Sequence, residues 1–138
     1  MDTVQKRNKI VWINGCFDVL HYGHFAIIDY AASLGDRVVI GIDTDDRVRS
    51  NKGKNRPFHT AEQRKFNLCQ LKNVDKVVMF NSDKELITHI RKEKPEYMVI
   101  GSEYKDKRIV GVELFEKVFY FNKIENLSTS NIMSHESN

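Results

Sequence analysis

Two histidines, His21 and His24, stand three residues apart with Gly23 between them, in the run Asn14-Gly15-Cys16-Phe17-Asp18-Val19-Leu20-His21-Tyr22-Gly23-His24. In the first turn of a helix that spacing puts both imidazoles on one side. An imidazole donates a hydrogen bond when neutral and carries charge when protonated, so it suits an anionic oxygen in either state. Gly23 adds no side chain, and a flat or anionic ligand can approach the backbone there. The run follows Ile10-Val11-Trp12-Ile13, short and β-branched as buried strands are. It leads into residues 25–34, whose apolar side chains recur at helical spacing and which stop at Gly35. A strand therefore delivers the chain to a helix N-terminus, where unbonded N–H groups and the helix dipole favour phosphate. Chemistry on a phosphate group is the expectation.

The elements that must position this run alternate along the chain. Residues 37–42 form a second buried strand ending in Asp43, followed by a polar, basic loop over residues 47–57 centred on Lys52-Gly53-Lys54-Asn55-Arg56. Thr60 with Gln63 reads as a capping box. It opens a helix over residues 61–71 that carries Arg64 and turns Phe66, Leu68, Cys69 and Leu71 toward the core. Residues 77–80 make a third strand, and 83–92 an amphipathic helix with Leu86, Ile87 and Ile90 on one face. A fourth strand, 97–100, ends at Gly101, and a fifth covers 118–121. Ser128-Thr129-Ser130 caps a short last helix. Buried strands alternating with helices predict a doubly wound, Rossmann-like α/β fold: a five-stranded parallel sheet with helices on both faces. In such sheets ligands bind beyond the carboxyl ends of the strands. The polar residues fall there: 14–24 after the first strand, Asp43 after the second, Gly101 to Lys105 after the fourth, and Ser128 and Thr129 soon after the fifth.

The totals narrow the function classes. At 138 residues the chain reads as one domain, with 1–9 and 134–138 as flexible tails. A composition of 41% hydrophobic and 30% charged residues argues against disorder. No apolar run is long enough to cross a bilayer, and residues 1–9 lack the apolar core of a signal peptide, so no membrane role and a cytoplasmic setting are expected. Cys16 and Cys69 are expected as buried, reduced thiols. His59, His89 and His135 are scattered and expected on the surface, with no dedicated metal site. A net charge of +3 is too mild to argue for nucleic acid, and the aromatics lie in strand patterns, not among basic residues.

With these residues assembled, the chain resembles the cytidylyltransferase-like nucleotidyltransferases, whose mark is H-x-G-H, here His21-Tyr22-Gly23-His24, joined by a serine-threonine pair, here Ser128-Thr129. The resemblance runs from about Ile10 to Ile132. Asn14 to Asp18, Lys52-Gly53 with Arg56-Pro57, and Tyr104-Lys105 followed by Ile109-Val110-Gly111 look most like the adenylyltransferases acting on heptose 1-phosphate. The glycerol-3-phosphate cytidylyltransferases come next. Two positions depart: Lys123 stands where the glycerol type has an arginine before the serine-threonine pair, and Asn126 where both groups usually have glycine.

The resemblance implies that a phosphorylated sugar or polyol attacks the α-phosphorus of an NTP, ATP or CTP, and releases pyrophosphate. His21, His24, Lys52 and Arg64 are implied as the catalytic set. Gly15, Cys16, Phe17, Asp18, Gly23, Lys54, Gly101, Glu103, Ser128 and Thr129 are implied around the nucleotide, and Asp18, Arg56, Tyr104 and Lys105 around the acceptor. Asp18 either meets a ligand or Mg²⁺ or orients a neighbour. Mg²⁺ is expected on the triphosphate, and a homodimer by analogy. The competing readings are a CDP-alcohol-forming enzyme and, from another class, a non-catalytic nucleotide-binding module.

Overall fold

A computed structural model describes residues 9–122. Its strands are β1 (Ile10–Gly15), β2 (Arg37–Asp43), β3 (Lys76–Phe80), β4 (Tyr97–Gly101) and β5 (Lys117–Phe121), all parallel in the order β3-β2-β1-β4-β5. The crossovers carry α1 (Tyr22–Ala32), α2 (Asp45–Lys52), α3 (Ala61–Cys69) and α4 (Asp83–Glu93). Two 3₁₀ turns, Ser102–Tyr104 and Val112–Leu114, lie between β4 and β5. The chain steps outward from β1 to β3, then returns to the other side of β1 for β4. Strand order thus reverses between β1 and β4, and the loops leaving those two strands part to open a crevice.

Side chains alternate across a strand, so each central strand is buried on both faces. Val11, Ile13, Val38, Ile40, Ile42 and Val77 face Ile28 and Ala31 of α1 and Leu68 of α3. Trp12, Val39, Phe80 and Met98 face Leu86 and Ile90 of α4, with Phe115. The doubly wound sheet is the one expected. The buried Trp12 indole donates to Asn14 Oδ1 at 2.9 Å, which fixes the first polar residue of the rim.

Three expectations are corrected. The basic stretch after β2 is not all loop, since residues 45–52 form α2, capped by the Thr44 hydroxyl on Arg47 N and closed by Gly53 at φ 104°. Only Val48 of α2 is buried, so apolar periodicity never signalled it. On α3, Ala61, Arg64 and Leu68 make the inward stripe, at i, i+3 and i+7. Phe66 therefore points away and is 66% exposed, with Cys69 exposed beside it. Cys16 is only half-buried, and His59 and His89 are half-buried too, the latter's Nε2 lying 2.9 Å from Met79 O. The calls on Lys123, Asn126, Ser128, Thr129, Ser130 and His135, and on both tails, lie outside the described residues.

Candidate functional site

A cleft of about 780 Å³ opens at the carboxyl ends of the strands, where the loops after β1 and β4 part. One wall is the β1–α1 turn. It contains two residues in left-handed backbone, Phe17 at φ 54° and Val19 at φ 50°. That conformation is strained for a β-branched side chain, and the surroundings must hold it in place. The Phe17 ring does so by packing into the core under α1. The turn then ends in an arrangement of the two histidines that the sequence did not anticipate.

His21 is the N-cap of α1, and its Nδ1 accepts the Gly23 N–H at 3.0 Å. His24 is the third helical residue, and its Nδ1 accepts the His21 N–H at 3.2 Å. The pair forms a reciprocal capping box made of imidazoles. Since each Nδ1 accepts, the ring hydrogen of each neutral histidine sits on Nε2. The rings stack at 4.0 Å between centroids, with Phe17 5.1 Å from His24. Both rings line the cleft. The Gly23 N–H, expected to meet phosphate, is bonded to His21 instead. The helix start therefore presents two stacked imidazoles, their planes 29° apart.

Lys52 ends α2 and lines the same cleft, as does Arg56. Lys52 is carried by a helix and not by a long loop. Gly15, Cys16, Phe17, Asp18, Gly23, Gly101, Glu103 and Tyr104 also line the cleft, whereas Lys54 and Lys105 fall outside the lining. At Gly101 an added Cβ would meet the Glu103 carboxylate, which would have to swing aside. Burial pushes the Cys16 thiol up against the lowering pull of Lys52 and Arg64.

Two charged residues, Arg64 and Asp18, are already engaged within the protein. Arg64, expected at a phosphate or else in a surface ion pair, is 0% exposed. Its guanidinium donates to His59 O at 3.0 Å, Cys16 O at 2.9 Å, Asp43 O at 2.8 Å and Asp45 Oδ1 at 2.7 Å. It ties together the ends of β1 and β2, the start of α2 and the approach to α3, so it is a positioning residue. The Asp18 side chain, only 3% exposed, accepts Phe58 N–H at 2.7 Å and His59 N–H at 2.9 Å, with Arg56 Nε 3.6 Å away. These bonds let Asp18 orient the 58–59 segment while it lines the cleft. Burial alone would raise its pKa, but the two backbone bonds, then Arg56 and Arg64, hold it below the ordinary value.

The sequence reading missed Arg47 and Asn51 of α2 and Arg108 after β4, all of which line the cleft. Arg47 and Asn51 are four apart and share a helix face. Recognising α2 from its caps, Thr44 before Asp45 and Asp46 and Arg49 with Lys52 at the end, would have placed both.

Known proteins bear on this geometry. The sequence pattern of the cytidylyltransferase-like family matches residues 12–134. The bifunctional protein HldE of Helicobacter hepaticus is 43% identical over 93% of this chain, and that of Campylobacter jejuni subsp. doylei 40% identical over 94%. The chain spans about a quarter of each, 26% and 28% of their lengths. Among solved structures, a lipopolysaccharide core biosynthesis protein from Thermoplasma volcanium superposes with a TM-score of 0.68 at 24% identity, over 83% of this chain and 97% of that one. The fold is shared.

Proposed function

The chain belongs to the cytidylyltransferase-like family, and from that membership we propose that it transfers a nucleoside monophosphate from an NTP to a phosphorylated sugar, on the pattern of a heptose 1-phosphate adenylyltransferase. An oxygen of the acceptor's phosphate attacks the α-phosphorus and a new P–O bond forms. The bond from that phosphorus to the bridging oxygen breaks, and pyrophosphate leaves with the electron pair. The nucleophile is already anionic, so the protein's work is to bring two anions together and stabilise the charge spreading over the α-phosphate and leaving group. The observation that carries this reading is the stacked His21–His24 pair, whose Nδ1 atoms are held by the backbone so that Nε2–H is the donor, facing a cleft shared with Lys52 and Arg56.

Among the described residues no three His, Cys, Asp or Glu side chains gather as a metal site. In this reading Mg²⁺ comes bound to the triphosphate, where it would supply charge neutralisation. Ser128 and Thr129 are assigned to the β- and γ-phosphates by resemblance, and ATP is favoured over CTP on the same ground. No helix among the described residues is long and apolar enough to cross a membrane. A cytoplasmic homodimer is the form in which we expect the enzyme to act.

The test is pyrophosphate release in a matrix of ATP, CTP, GTP and UTP against heptose 1-phosphate, other sugar 1-phosphates and glycerol 3-phosphate. ATP with heptose 1-phosphate should lead. Silence across the matrix, with nucleotide binding intact, would leave a non-catalytic binding module and overturn the proposal.

A further inference from the structure

Strand alternation divides the cleft into two sides. Phe17 and Ile27 line it from the core packed under α1, and Leu86, Ile100 and Val110 line it from the core packed under α4. His21 and His24 open α1 and belong to the first side. Asn14 belongs to the second. It follows Trp12 by two residues on β1, so it shares the face on which Trp12 packs with Leu86 and Ile90. Gly41 on the neighbouring strand makes room for the indole, since a Cβ there would stand 2.6 Å from Trp12 Cζ2. The indole is 0% exposed, and its Nε1–H reaches Asn14 Oδ1 at 2.9 Å.

That bond decides which end of the amide meets the cleft. An indole nitrogen only donates, so the amide oxygen must face Trp12 and the amide nitrogen must face elsewhere. Asn14 Nδ2 makes no hydrogen bond among the described residues. It is not one of the buried side-chain atoms left without a partner, so it opens onto the cleft that Asn14 lines. An amide nitrogen also only donates, and whatever meets it must accept. Apolar side chains flank this side, and Arg47, which also lines the cleft, is already paired with Asp43 and Asp83. An uncharged acceptor therefore suits the position better than a phosphate oxygen. We propose that Asn14 is a specificity-determining residue whose Nδ2 donates to an uncharged acceptor atom of the substrate, outside its phosphates, with Trp12 as its positioning residue. The atom belongs to the nucleoside of the NTP or to the sugar of the acceptor, and experiment separates the two. The choice of probes rests on the transfer reaction proposed above; the donor itself rests on the geometry.

Trp12 is the only tryptophan in the chain, so its indole N–H gives a single side-chain cross-peak in ¹H–¹⁵N spectra. Drawing Nδ2 into a hydrogen bond polarises the whole amide and strengthens the bond that its oxygen accepts. The cross-peak is followed on the wild-type chain as ATP, heptose 1-phosphate or tripolyphosphate is added. It should move with ATP if the nucleoside is read, or with heptose 1-phosphate if the sugar is, and stay still with tripolyphosphate. Calorimetry on Asn14→Asp and Asn14→Ala gives the second reading. Asn14→Asp keeps an acceptor for Trp12 and loses the donor; Asn14→Ala loses both and adds no charge. In each, affinity for the recognised probe, taken relative to tripolyphosphate, should fall about tenfold or more. If one variant fails to fold, the other carries the comparison. A cross-peak that stays still under saturating ATP and heptose 1-phosphate, one that moves as far with tripolyphosphate, or relative affinities unchanged in the variants would each overturn the role of Asn14 and leave the transfer reaction standing. A moving cross-peak and tenfold losses without pyrophosphate release do the reverse, and a wild-type chain that binds neither ATP nor heptose 1-phosphate overturns both.

Discussion

Replacing His21 by asparagine separates two jobs that one imidazole performs. Asparagine carries Oδ1 on the same Cγ that bears Nδ1 in histidine, and it ranks among the best N-caps. His21→Asn should therefore still accept the Gly23 N–H now bonded at 3.0 Å. It has no atom where Nε2 stands. Turnover should fall by about 10²-fold or more, the scale for losing one preorganised donor. His21→Ala loses the donor and the cap together, and the missing cap costs about 1 kcal/mol. For a chain of this size that is a lowering of Tm by about 4 °C. Both variants also lose the ring stacked on His24, worth about 1 kcal/mol, so the alanine-to-asparagine difference isolates the cap. Pyrophosphate release and thermal unfolding give the two numbers, and ¹⁵N spectra of the wild-type imidazoles should place the hydrogen on Nε2 in both rings. Near-wild-type turnover in His21→Asn, or equal Tm values for the two variants, would refute the division of roles.

Lys52→Ala should raise the KM for NTP or lower kcat while leaving unfolding within about 0.5 kcal/mol, and steady-state kinetics with unchanged constants would return Lys52 to the solvated surface. Arg64→Met leaves three carbonyls and the Asp45 carboxylate without their donor; denaturant unfolding should report a loss of about 3–5 kcal/mol. Asp18 has a folded-state pKa below its unfolded one, so its contribution is full above the unfolded value and is lost as pH falls through the folded value. Acid unfolding of Asp18→Asn should accordingly differ from wild type less at low pH than at neutral pH. Burial pushes the Asp43 carboxyl up against the pull of Arg47, so charging it opposes folding. Asp43→Asn should raise Tm at neutral pH, by a margin that shrinks as the solution is acidified.

The sheet was legible because a short, β-branched apolar run such as Ile10-Val11-Trp12-Ile13 is a local signal of a strand buried on both faces. The position of the site followed from topology, since polar residues after the strands must share one rim. Arg64 was not legible. Nothing in Thr60-Ala61-Glu62-Gln63-Arg64 distinguishes a buried arginine from a surface one, because the carbonyls that receive it come from residues 16, 43 and 59. The histidine cap escaped for a related reason. Histidine is a poor predictor of an N-cap, and only the backbone at His21, φ −146° and ψ −178°, reveals that its side chain reaches back to the helix. α2 escaped because a helix that buries one side chain has no periodicity to read, and with it went Arg47 and Asn51.

The buried guanidinium of Arg64 also sets how the site breathes. Its bonds reach segments far apart in sequence and hold each of them by a carbonyl. None can swing away from the core without stripping a hydrogen bond from a charge that has no water beside it. Opening one segment weakens the grip on the others, so the β1–α1 turn, the β2–α2 junction and the 56–59 segment should exchange their amide hydrogens as one cooperative unit, with similar protection and a common response to temperature. A ligand that touches any one of these segments would then slow exchange in all three.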